Sequence, residues 1–169
     1  SSGTINNAAT VVFTGFDASA YDAYVFMLHA VVPISSDVKL RCQTSTDGGS
    51  NFATTSGNYH EGNEANTVGL TVSQLNVGNA SDNNLNFGVT GPFELFNVGS
   101  SALFTTALSK VMIVADGATQ GGASMNFVYG HRDSISQRYA AETNNAVRFL
   151  FESGNIDSGE IVMYGIANA

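Results

Sequence analysis

The residues best able to do chemistry in this sequence are few, and their spacing sets up no familiar reaction. His60-Glu61-Gly62-Asn63-Glu64 has the outline of a zinc-protease motif, which needs two histidines one helical turn apart. Here the second histidine position holds Glu64, and Gly62 and Asn63 oppose the helix that would bring the ligands to one face. A solvated loop is expected instead of a metal site. Glu61 with Glu64 and Asp157 with Glu160 are the nearby acids, each in or beside an expected loop. Glycoside hydrolysis would need two carboxylates at a separation that only the fold sets. No Gly-x-Ser-x-Gly nucleophile turn occurs, and Cys42 has no adjacent base. Gly117, Gly121 and Gly122 fall between two expected strands, where a phosphate cradle would need a strand and a helix. The reading is a protein that is not an enzyme and holds no cofactor or metal.

Other polar groups read as structure or as surface. Asn79-Ala80-Ser81-Asp82-Asn83-Asn84 is rich in side-chain oxygen, but its spacing is not that of a calcium loop, so an exposed turn is expected. Its Asn-Ala-Ser sequon matters only in a glycosylating pathway. His29 stands inside an apolar run and reads as a hydrogen-bonded core or interface histidine. Cys42 is the single cysteine, which rules out an intrachain disulfide, and its place in an alternating strand makes it a buried small hydrophobe.

The bulk composition limits the partners. Charged residues are 12% of the 169, about half the usual share, while Asn, Ser, Thr and Gly abound. The net charge of −8 repels phosphate backbones, and the six basic residues are scattered along the chain, so nucleic-acid binding is not expected. No stretch approaches the roughly 18 continuous apolar residues of a membrane helix, so membrane insertion is not expected either. The first ten residues lack the basic and apolar regions of a signal peptide.

The elements that must position these groups are strands. Val38, Leu40, Cys42 and Thr44 alternate with Lys39, Arg41, Gln43 and Ser45, and Asp47-Gly48-Gly49 then reverses the chain. A hairpin is expected, with Phe52 and Tyr59 as aromatic anchors on the returning limb. Tyr21 to Val32, ended by Pro33, is apolar on both faces and predicts a strand buried on both. Further strands are expected at 10–16, 67–77, 85–89, 92–98, 110–115, 125–130, 146–152 and 160–167, separated by turn formers. Thr54 to Asn66 and His131 to Asn145 read as polar loops. About nine to eleven short strands with turns between them predict an all-β antiparallel two-sheet sandwich, jelly-roll-like. Residues 1–9 form an N-terminal arm or edge segment, and 10–169 a single domain.

Several of these residues together resemble the β-sandwich modules of tailed-bacteriophage structural proteins. They are Tyr21-x-x-Tyr24-x-Phe26 with Pro33, then Ser45-Thr46-Asp47-Gly48-Gly49 through Phe52 to Tyr59. Val147-x-Phe149, Ser153-Gly154, Ser158-Gly159 and Met163-Tyr164-Gly165-Ile166 complete the set. The resemblance implies a virion protein, a capsid-attached decoration or head-fibre knob that assembles as a homotrimer with capsid or tail proteins. The alternative is a phage-tail or lectin-like adhesion module that binds a host surface glycan. Candidate contact residues for a partner or glycan are Tyr59, His60, Asn79, Asp82, Asn83, Arg138 and Tyr139. Candidate subunit-interface residues are Val25, Met27, His29 and Val31, since a doubly apolar strand needs more cover than one sandwich face supplies.

Overall fold

The computed structural model describes residues 4–61, 70–72, 74–81, 88–113, 132–138 and 142–167 of the chain. They contain strands and no helix: β1 (Thr4–Ala8), β2 (Val11–Thr14), β3 (Tyr21–Pro33), β4 (Val38–Ser45), β5 (Tyr59–Glu61), β6 (Leu70–Val72), β7 (Leu75–Ser81), β8 (Val89–Phe96), β9 (Thr106–Ser109), β10 (Met112–Ile113), β11 (Arg132–Arg138), β12 (Ala146–Phe151) and β13 (Ile156–Ala167). All pairings are antiparallel. The larger sheet runs β1-β13-β3-β8-β9-β11-β5-β6, with β10 beside β8, and the smaller runs β2-β12-β4-β7. The chain alternates between them: β2 lies in the small sheet, β3 in the large, β4 in the small, β5 in the large. That alternation builds the expected jelly-roll-like two-sheet sandwich.

The core lies between the sheets and is centred on four phenylalanines. Phe26 of β3 and Phe93 of β8 face Phe13 of β2 and Phe149 of β12, with ring centroids 5.0 Å apart for Phe26–Phe149 and 5.2 Å for Phe13–Phe26. Most of these contacts are edge-to-face, the arrangement that aligns positive ring edges with negative faces. Leu40, Cys42 and Thr44 of β4 are fully buried beside them, as the alternation from Val38 requires.

β3 departs from the expectation of burial on both faces. Tyr24, Phe26 and Leu28 are buried, Val25 and Met27 only partly so, and His29 is exposed. At His29-Ala30 the phase changes, because the strand carries one extra residue. The four residues from Leu28 to Val31 lie opposite three on β8, Gly91 to Val89, and the four from His29 to Val32 lie opposite three on β13, Glu160 to Ser158. This is a β-bulge. Ala30 takes a left-handed φ of 45°, and its N–H is donated to Thr90 Oγ1 at 3.0 Å. Val31 therefore points inward.

The Asp47 turn is formed, with Gly48 and Gly49 at φ of 74° and 92°, but no hairpin follows. One edge of β4 is taken by β12 and the other by β7. The returning limb keeps a single ladder-like bond, Ala53 N–H to Thr44 O, and crosses to the large sheet as β5. Burial of Leu75 and Val77 recruits β7 to the edge that Thr44 O faces, and the Gly, Ser and Asn of the returning limb have nothing comparable to bury.

Other boundaries also move. β8 runs through Gly91-Pro92 where a break is expected. Pro92 O accepts Lys110 N–H where β8 changes partner from β9 to β10, so its missing donor falls at a gap in the ladder. β13 begins at Ile156, so Asp157 lies in a strand, not a loop, and Glu160 falls inside that strand as expected. Residues 4–8 form an edge strand on β13. Within the stretches read as polar loops, 59–61 and 132–138 form strands that pair with each other. The strand expected at 125–130, the turns at 116–122 and Glu64 lie outside the described residues.

Candidate functional site

The residues picked out as contacts do not form one loop cluster. Tyr59 is fully buried. Its hydroxyl accepts Thr44 N–H at 2.9 Å and donates to Ala53 O at 3.1 Å. It supports the Asp47 turn from within, and expecting it at the surface was wrong because a phenol that satisfies its hydroxyl internally can join the core. His60 lies in β5, opposite Gln137 of β11. Arg138 ends β11. Asn79 lies inside β7, not in a turn. Asp82, Asn83 and Tyr139 lie outside the described residues.

The interface candidates divide at the bulge. Val31 is fully buried in the core and contributes nothing to an outer surface. Val25 and Met27 lie on the outward face of the large sheet, where residues directly opposite on neighbouring strands share their side. Val25 sits between Tyr164 and Glu94, Met27 between Val162 and Pro92, and Ala23 between Ile166 and Phe96. Tyr164 and Ile166 are 54% and 49% exposed. His29 pairs with Glu160 at the end of this face. Glu94, opposite Val25 within this face, is paired with Lys110 Nζ at 3.6 Å.

A second surface appears on the small sheet. Because Leu40 and Cys42 point inward, Lys39, Arg41 and Gln43 point outward, beside Arg148 and Leu150 of β12. Three of the six Lys and Arg residues thus share one face. Arg41 is paired with Glu152. Arg148 donates from Nε to Gln43 Oε1 at 2.7 Å, and Gln43 donates in turn to Gln74 Oε1 at 3.0 Å. The guanidinium carbon lies 4.3 Å from the centroid of the Phe52 ring, a cation–π contact.

Phe52 is held there by the turn. Asp47 Oδ1 accepts Asn51 N–H at 2.8 Å and the Ser45 hydroxyl at 2.7 Å, and Oδ2 accepts Asn51 Nδ2 at 2.7 Å. These donors, the Asn51 amide first, pull the Asp47 carboxyl down to about 2. Asn145, just before β12, clamps the turn through Gly48 N–H and Thr46 O. An open cleft of about 240 Å³ lies along the turn, lined by Thr44, Ser45, Asp47, Asn51, Phe52 and Asn58 among others. Sequence reasoning named the turn and Phe52 as structural features and passed over Arg148, whose partners are distant in the chain.

Burial pushes the Cys42 thiol far above its ordinary range, so it stays protonated. Among the described residues no three His, Cys, Asp or Glu side chains gather where a metal could be held. No family model, curated protein or solved structure matches the chain. The fold defines it as an antiparallel two-sheet β-sandwich.

Proposed function

We propose that this chain is a non-catalytic structural protein of a bacteriophage particle, a capsid-attached decoration or head-fibre knob that assembles as a homotrimer. The observation that carries the assembly is the outward face of β3, β8 and β13. Val25, Met27, Val162, Tyr164 and Ile166 sit together there on a strand-built surface, with Glu94 beside Val25 paired to Lys110. A contiguous apolar patch on a sheet face favours burial against another protein surface. A closed ring of copies would bury the same patch from every chain. The particle setting comes from the resemblance of the Tyr21–Pro33, Asp47–Tyr59 and Met163–Ile166 stretches, and is an argument by analogy.

Size-exclusion chromatography with light scattering tests this reading. The expected mass is three times the 17.6 kDa of one chain, unchanged on dilution. Tyr164→Glu, which puts a charge at the centre of the patch, should yield monomers that keep the β circular-dichroism spectrum. A monomeric unmodified chain at every concentration would overturn the assembly.

A further inference from the structure

We infer that the cleft beside the Asp47 turn, together with Arg148, forms a binding site for a carboxylate-bearing saccharide. This goes beyond the assembly reading and does not rest on it, since it lies on the other sheet.

The cationic half of the site is already in place. Arg148 is fixed at Nε by Gln43 and laid flat on Phe52, while its two terminal amino groups find no acceptor among the described residues. A guanidinium held this way loses little freedom on binding, and its planar fork matches a carboxylate. The other half is the cleft, whose exposed or half-buried polar lining includes Thr46, Asn51, Thr54, Thr55 and Asn58. Asp47 Oδ2 accepts one bond among the described residues, which leaves room for a hydroxyl donor. The Phe52 ring belongs to both halves.

A ligand that engages both halves carries hydroxyl donors and a carboxylate, as a uronic acid does. An acidic peptide fits poorly, because its repeated carboxylates meet Asp47 and the cleft offers little apolar wall for side chains.

Titration of the ¹⁵N-labelled full chain, followed by NMR, tests the site with four probes: methyl β-D-glucuronide, methyl β-D-glucoside, acetate and a poly-glutamate peptide at matched ionic strength. The glucuronide should give saturable shifts at Arg148 Nε–H and at the side-chain amides of Gln43 and Asn51. The glucoside and acetate should each bind at least about tenfold more weakly. Arg148→Lys, which keeps the charge and loses the fork, should bring the glucuronide to the level of the glucoside while the β circular-dichroism spectrum is kept. No saturable shift at Arg148 would overturn the proposal. So would glucoside or acetate binding as tight as that of the glucuronide, or tighter binding of the peptide. The comparison among probes uses the unmodified chain and stands even if the variant misfolds.

Discussion

The Tyr59 hydroxyl and the Asp47 carboxylate carry the same turn from opposite sides, one from the core and one from solvent. Tyr59→Phe removes the hydroxyl that accepts Thr44 N–H and donates to Ala53 O. Loss of these buried hydrogen bonds costs about 1–3 kcal/mol, which a urea midpoint would show. Asp47 predicts a pH dependence. Its folded value of about 2 lies below the 3.8 of the free side chain, so its contribution is complete above pH 4 and is lost as pH falls towards 2. Thermal melts should be level with respect to this group from pH 7 to 5 and fall between about pH 4 and 2, and Asp47→Asn should flatten part of that fall. The turn was legible because Asp-Gly-Gly is a local backbone signal. The place of Tyr59 was not, since a tyrosine serves equally as a surface contact or as a core ring with a bonded hydroxyl.

β3 was legible as an element and illegible in its phase. Its apolar run and terminal Pro33 mark a long strand, and the observed span of Tyr21–Pro33 follows them closely. The bulge at Ala30 depends on the strands beside it. Gly159 of β13 comes so close that an added Cβ would stand 2.6 Å from Ala30 O and 2.8 Å from Val31 Cα, and its φ of 124° is hostile to other residues. Gly159→Ala should therefore destabilise the protein by about 2 kcal/mol or more. Ala30→Gly should act in the opposite direction, by roughly 0.5–1 kcal/mol, because it relieves a left-handed alanine and the gain exceeds the added freedom of the unfolded chain. Equilibrium unfolding in urea separates the two. Opposite signs at neighbouring positions would not follow from a simple loss of packing. The polar strands β5 and β11 carried no apolar alternation, so their membership of the sheet shows only in their pairing.

At the scale of the whole molecule, Phe26 joins the two sheets, touching Phe13, Phe93 and Phe149. Phe26→Ala should cost about 3–5 kcal/mol, a large part of the roughly 5–15 kcal/mol that holds such a domain together. A lowered Tm with loss of the aromatic near-ultraviolet signal would report it. The sequence by itself determined the all-β class, the inward set from Val38 to Thr44 and the Asp47 turn. Each of these is written in side-chain period or backbone preference within a few residues. Only the tertiary structure decided that β4 pairs with β12 and β7 instead of its own returning limb, that Val31 turns inward past the bulge, and that Arg148 lies on Phe52. It also gathered Lys39, Arg41 and Arg148 onto one face of an acidic chain. The reason is physical: pairing between distant strands is chosen by the apolar surface that both sheets bury together, and that competition leaves no mark in any one segment.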